Sequence, residues 1–261
     1  MPRRLAMLAF AVALSAQADT DRETLYQIST IDALLTGVYD PLSSIRDALP
    51  HGDVGLGTFT DLDGELILLD GQVYQATADG QVRHLPSDPD IGTPFIAVTH
   101  FDADQTLNPP AGQDYTSFKT WLEAQFPSRN LAYAIRLDGT FERMVFRSVP
   151  KQSKPYPPLA AISSQQTVFR QDAVTGTLIG FWCPTFMQGV NVPGFHLHFL
   201  SADRQQGGHV LDFTLTGGRV QLDPTNGWTV QLPLDPAFLG TQLGADQSEA
   251  LHAIEQGPPA Q

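Results

Sequence analysis

Two histidines one residue apart, in Gly194-Phe195-His196-Leu197-His198-Phe199, and a third at His209 are the side chains of this sequence best spaced to hold a metal. On an extended strand, residues i and i+2 project from the same face, so His196 and His198 point together. Residues 201–208 (Ser-Ala-Asp-Arg-Gln-Gln-Gly-Gly) are polar, end in a glycine pair and read as a hairpin loop. A return strand then opens at His209, and a symmetric hairpin sets His209 opposite His198 on the same face. Three imidazoles converging from adjacent strands make an open zinc site, with three protein ligands and room for substrate. A His-x-His pair alone is more often two exposed strand residues, and the third histidine in register tips the balance towards a metal. His51, His84, His100 and His252 stand alone and read as structural or surface residues.

The elements that must position this trio are mostly strands. Residues 55–86 carry Asp63-Gly64, Asp70-Gly71 and Asp79-Gly80 between apolar runs of strand length, the pattern of a β-meander. Ser29 or Thr30 caps a short helix start, and a second short helix is expected within 41–49. Residues 92–100 form another expected strand. Residues 115–126 have helical spacing of Phe118, Leu122 and Phe126, with Trp121 completing the face. Residues 130–136 and 140–149 read as two strands around an Asp138-Gly139 turn. The run 150–158 (Pro-Lys-Gln-Ser-Lys-Pro-Tyr-Pro-Pro) reads as a linker. Beyond it, 166–169, 176–182, 219–223 and 227–232 read as separate short strands, and 247–254 as a brief helix. Long βαβ alternation and a glycine-rich loop after a strand are both missing, which argues against dinucleotide and P-loop folds. The expected class is α+β, with two sheet-based halves and the metal site on a hairpin of the C-terminal half.

Composition bounds the partners. The chain has 261 residues and a formal net charge of -13, an acidic surface that argues against nucleic acid and anionic membranes. Arg3-Arg4, an apolar run over 5–14 and Ala16-Gln17-Ala18 form the pattern of a secretory signal, with cleavage expected before Asp19. The run is too short to span a bilayer, and the remainder of a twin-arginine motif is missing, so the general export route is favoured. The expected division is therefore signal 1–18, an N-terminal sheet domain 19–150 and a C-terminal metal-binding domain 151–261. The mature protein is expected to be periplasmic or secreted and free of the membrane. Its single cysteine, Cys183, excludes an internal disulfide, and its apolar setting suggests a buried, inert thiol.

With these features in place, the chain resembles the α-acetolactate decarboxylase family over nearly its whole mature length. The resemblance lies in His51-Gly-Asp-Val-Gly-Leu-Gly-Thr-Phe59, Leu62-Asp-Gly-Glu-Leu-Ile67 and Tyr133-Ala-Ile-Arg-Leu-Asp-Gly-Thr-Phe141. It continues through Arg147-Ser-Val-Pro150 with Gln152, Pro155-Tyr-Pro-Pro-Leu159, the His196/His198 motif and Gly207-Gly-His209. It implies zinc ligands at His196, His198 and His209, acidic residues at Glu65 and Glu255, an arginine at Arg147 and a hydroxyl contact at Thr58. None of these last four would be selected from spacing. Glu65 follows an Asp-Gly turn, Arg147 shares a strand face with Arg143 and reads as solvated charge, and Glu255 lies in a Pro/Gly-rich tail. The resemblance implies decarboxylation of (S)-2-acetolactate to (R)-acetoin in acetoin and butanediol formation, and a homodimer. Arg147 would hold the substrate carboxylate, and either Glu65 or Glu255 would return the proton. Two other classes stay in view, a cupin-type metal-dependent oxygenase or isomerase and a non-catalytic exported metal-binding protein. A cupin-type site usually places a glutamate shortly after His-x-His, where this chain offers only Asp203.

Overall fold

Hydrophobic alternation and Asp-Gly turns build most of this molecule. The computed structural model describes residues 22–86 and 90–256, so the expected signal segment lies outside the described residues. In chain order the first strands are β1 (Thr24–Ile28), β2 (Ser43–Ser44), β3 (Val54–Thr58), β4 (Glu65–Leu69) and β5 (Gln72–Ala76). Next come β6 (Val82–His84), β7 (Gly92–Thr93), β8 (Phe95–Thr99), β9 (Gln105–Leu107) and β10 (Gln113–Asp114). The long strands follow: β11 (Ala132–Ser148), β12 (Thr167–Cys183), β13 (Gly194–Ser201) and β14 (Gly207–Thr225), then β15 (Gly227–Gln231). The helices are short: α1 (Ile31–Leu35), α2 (Ile45–Ala48), α3 (Tyr115–Glu123), α4 (Leu159–Ile162), α5 (Pro236–Gly240) and α6 (Ser248–Gln256). The fold is α+β, as expected from the sequence.

A seven-stranded sheet has the order β15-β1-β8-β3-β4-β5-β6. Its meander forms because Asp70 and Gly71 both take positive φ (52° and 72°), the two-residue turn that suits the twist of paired strands. The second sheet has the order β10-β14-β11-β12-β13, and an added β13–β14 pairing closes it on itself. Between the sheets lies a shared core that includes Leu25, Val54, Leu56 and Ile67 from one and Ala132, Ala134, Ile179 and Phe181 from the other. Across the second sheet, α3 buries Phe118 and Leu122 against Phe141 and Phe213, and Asp114 caps it by accepting from the Ser117 N–H at 2.7 Å.

Three sequence expectations are corrected here. Ala132–Ser148 form one continuous strand where two were expected, because Asp138-Gly139 does not turn. Gly139 pairs with Gly176 on one side and Gly218 on the other, and the Asp138 carboxylate is held by Arg136 and the Thr177 hydroxyl. Residues 166–169 and 176–182 likewise join into β12, and 219–223 is the far half of the strand that begins beside His209. Finally, sheet membership does not change at the proline-rich run. β11, which precedes that run, belongs to the second sheet, and β15, after it, completes the first. The run itself is pinned to the first half, with Gln152 N–H donating to Asp61 O at 2.7 Å and Tyr39 O–H donating to Pro157 O at 3.0 Å.

Candidate metal centre

The hairpin geometry read from the sequence is what forms. Strand β13 pairs with β14 so that His198 lies opposite His209, and β14 pairs with β11 so that His209 lies opposite Arg147. His198, His209 and Arg147 therefore form one row across three strands. His196 joins by the two-residue period of β13, its ring 5.2 Å from that of His198 and 5.1 Å from that of His209, centroid to centroid. One nitrogen of each histidine lies within 4.8 Å of the others, and all three residues are buried. Glycines make this closeness possible. A Cβ on Gly208 would stand 2.3 Å from Arg147 O, and one on Gly180 would stand 2.0 Å from His196 O.

The seven-stranded sheet supplies the acid. Glu65, at the start of β4 and opposite Thr58 of β3, reaches across to the row. Its Oε1 accepts from Arg147 Nη1 at 2.7 Å, and its Oε2 lies 3.6 Å from His198 Nε2. Arg143 and Arg147 share a face of β11, but that face runs from solvent at Arg143 into the interior at Arg147, which is 5% exposed. Thr58 is buried beside them, its hydroxyl spent on Gly64 O at 2.7 Å. Glu255 arrives on α6, which packs Leu251 and Ile254 against Leu159 and Ile162 of α4. Its Oε2 lies 3.6 Å from His209 Nε2. Glu65, Thr58, Arg147, His196 and Glu255 line one small cavity, with Ile31, Leu34, Phe95 and Leu251 forming an apolar wall. Sequence reasoning missed that wall, and also the Leu66 carbonyl, which lies 2.8 Å from His198 Nδ1 and leaves Nε2 turned towards Glu65. A backbone carbonyl has no signature in sequence.

Electrostatics follow from burial. Loss of hydration pushes the His198 ring down to about 3 and holds His196 and His209 well below the usual imidazole range, with the Arg147 cation adding to the effect. All three rings are thus neutral at neutral pH and offer lone pairs. Burial pushes the Glu65 carboxyl up, opposed by the charge and hydrogen bond of Arg147, and pushes Glu255 up to about 8. The buried atoms His196 Nδ1, His198 Nε2, Arg147 Nε and Glu255 Oε2 have no hydrogen-bond partner among the described residues. Three of these residues, His196, Arg147 and Glu255, line the cavity, and orphaned buried polar atoms cost about 1–3 kcal/mol each unless ligands meet them. Neutral imidazoles beside a carboxylate suit a divalent metal, and the spare guanidinium donor suits an anion. Cys183, by contrast, is buried among apolar neighbours and its thiol is pushed up to about 12, so it is inert.

Comparison with known proteins bears on this arrangement. The sequence model described as "Alpha-acetolactate decarboxylase" matches residues 25–245, which takes in the histidine trio, Glu65 and Arg147 and stops short of Glu255. The alpha-acetolactate decarboxylase of Methanosarcina mazei is 44% identical over 90% of this chain and 81% of its own length. That of Methylococcus capsulatus is 42% identical over 88% of each chain. Among solved structures, the alpha-acetolactate decarboxylase of Bacillus subtilis strain 168 superposes with a TM-score of 0.85. It is 36% identical, and the match covers 90% of this chain and all of that one.

Proposed function

This chain belongs to the alpha-acetolactate decarboxylase family and is a carboxy-lyase, and we propose that it converts (S)-2-acetolactate to (R)-acetoin and carbon dioxide at a zinc ion held by His196, His198 and His209. The observation that carries this reading is the row His198–His209–Arg147, which sets a metal-binding trio beside a buried cation with a donor to spare. Zinc fits three neutral nitrogens beside a small, partly apolar pocket, and when bound it would supply fixed positive charge against the oxygens on which negative charge collects.

The chain's own residues account for the remaining steps. Arg147 keeps one donor on Glu65 and directs Nε into the cavity, where it can hold the substrate carboxylate and offset an acidic protein's repulsion of an anion. In the reaction, the bond between the carboxyl carbon and the hydroxyl-bearing carbon breaks. Carbon dioxide leaves, and the electron pair moves into the neighbouring ketone as an enediolate. A proton must then return to the carbon that lost the carboxyl group. Glu255 is the better donor of the two acids, because its Oε2 has no hydrogen-bond partner among the described residues, whereas Glu65 accepts from Arg147 at 2.7 Å. The apolar wall of Ile31, Leu34 and Phe95 suits the methyl groups of acetolactate and limits water.

Metal analysis combined with an acetoin assay on the purified protein tests the proposal. Zinc near one ion per chain, acetoin formed as one enantiomer, and activity lost on metal removal and restored by zinc are expected. Acetoin formation that persists in full after complete metal removal would overturn the zinc assignment. The basic and then apolar start of the chain supports export, which N-terminal sequencing of exported protein, expected to begin at Asp19, would check. A homodimer is part of the same proposal and is read by light scattering. The cupin-type and non-catalytic alternatives lose their basis once the family is established.

A further inference from the structure

The loop over 59–64, which joins β3 to β4 and leads into Glu65, follows an uncommon path. Asp61 (φ 62°, ψ 17°) and Leu62 (φ 58°) are both left-handed, and Gly64 (φ 86°) follows them. Aspartate and glycine tolerate that conformation, but a leucine side chain is crowded by it. Such backbone persists only where its surroundings over-determine it, and it gathers at functional sites. Here it connects two residues that line the cavity, Thr58 and Glu65, which face each other in the β3–β4 pairing. The end of the loop nearest Glu65 is fixed within its own sheet. The Thr58 hydroxyl donates to Gly64 O at 2.7 Å, and Gln75 Nε2 donates to Asp63 O at 2.7 Å.

The left-handed pair is held from outside the sheet. Asp61 N–H donates to Tyr39 O at 2.8 Å, and Asp61 O accepts from Gln152 N–H at 2.7 Å. Both carboxylate oxygens are gripped, Oδ1 by the Tyr156 hydroxyl and Oδ2 by Lys151 Nζ at 3.1 Å. Tyr156 packs on Tyr39 with ring centroids 5.2 Å apart, and Leu62 is buried with Tyr39, Phe95 and Leu159. The hydrogen bond from Tyr156, helped by the Lys151 charge, holds the Asp61 carboxyl below the usual carboxylate range, so the grip persists at neutral pH. Lys151 is 59% exposed, and an exposed ion pair contributes little, so Tyr156 is the stronger partner. Gln152, Lys151 and Tyr156 all belong to the proline-rich run that follows Arg147. Contacts therefore close a ring from Arg147 through the run to Asp61, along the loop to Glu65, and back to Arg147 at 2.7 Å. We propose that Asp61, gripped by Tyr156 and Lys151, is a positioning residue that sets the Glu65 carboxylate against Arg147 and so aims the guanidinium at the substrate carboxylate, a role that rests on the decarboxylase reading above.

The test uses the full zinc-loaded protein and reads kcat/KM for acetolactate beside zinc content. Asp61→Gly removes the grip while accepting the left-handed backbone, so it separates the side chain's contacts from the strain. It is expected to lower kcat/KM by about 10-fold to 10²-fold, with zinc near the parental level. Tyr156→Phe, which keeps the ring, should lower kcat/KM by about threefold to tenfold, and it keeps the test decisive if Asp61→Gly does not fold. Asp61→Asn tolerates the same backbone and still accepts from Tyr156, so it should stay within about threefold of the parent. In a Glu65→Gln background the charge being aimed is already gone, and the factor lost to Asp61→Gly or Tyr156→Phe should shrink at least about threefold. Equal factors in both backgrounds, parental kcat/KM in both Asp61→Gly and Tyr156→Phe, or zinc lost in proportion to activity would overturn the positioning role while parental acetoin formation stands. A parent protein that forms no acetoin would overturn the functional reading together with it.

Discussion

Arg147 and Glu65 hold each other in a dry place, their side chains 6% and 8% exposed, and each is costly to leave alone. Removing one partner of such a pair costs about 3–5 kcal/mol, because the other is stranded as a buried charge. Truncation would therefore confuse folding with chemistry, and near-isosteric changes are the better probes. Glu65→Gln keeps the shape and an amide oxygen that can still accept from Arg147 Nη1, while removing the charge and the exchangeable carboxyl proton. The expected outcome is metal retained by the three histidines and turnover lowered by roughly 10²-fold or more, measured as kcat beside zinc content. A fall in zinc that matches the fall in kcat would instead make Glu65 a metal ligand. Glu255→Gln should lower kcat by about 10²–10⁴-fold with KM nearly unchanged, since it removes a transferable proton and leaves Arg147 to bind substrate. Unchanged kcat would return the proton-donor role to Glu65. The histidines were legible in the sequence because strand periodicity and a hairpin relate them locally. Glu65 and Arg147 are 82 positions apart and on different sheets, so no spacing rule joins them, and only the family resemblance brought them forward.

At the scale of elements, the long strands explain how one row can hold three functional side chains. β11 is 17 residues and β14 is 19, with register shifts between Thr140 and Arg143 and again between Val145 and Phe146. Such bulges let long strands bend until β13 and β14 meet. Asp138-Gly139 read as a turn because Asp-Gly has that local preference, and pairing on both sides overrode it. The same long-range closeness makes Gly208 a positioning residue. Its φ is 154°, and a Cβ there would press on Arg147 O, so β14 would have to move away from β11 beside His209. Gly208→Ala is expected to destabilise by roughly 2–4 kcal/mol and to reduce zinc affinity although no ligand is altered. Urea unfolding and competition with a zinc indicator would measure both. Full stability and full zinc affinity would show that the row tolerates displacement.

Across the whole molecule, charge and topology have separate consequences. Asp223, buried on β14, keeps its proton in the folded state up to about 7, whereas the same carboxyl in an unfolded chain titrates near 3.8. Between those values the folded chain binds the extra proton, so this group's contribution to stability falls as pH rises through the window. Asp223→Asn should therefore gain stability relative to the parent as pH rises from about 4 to about 7, read by urea unfolding at several pH values. A constant difference would mean that Asp223 titrates normally. Topology makes the second demand. β11 precedes the proline-rich run yet is the central strand of the second sheet, between β14 and β12, and β15 follows it yet pairs in parallel with β1. Expressed alone, residues 22–150 would lack β15 and would expose a 17-residue strand with neither neighbour, and residues 151–261 would have β14 and β12 with nothing between them. Neither fragment can bury the shared core, so each is expected to be unfolded by circular dichroism and to bind zinc weakly. The intact chain should unfold in one cooperative transition with far-ultraviolet and tryptophan signals coinciding. A fragment 151–261 that folds and holds zinc at parental affinity would show that the proline-rich run is a true domain boundary after all.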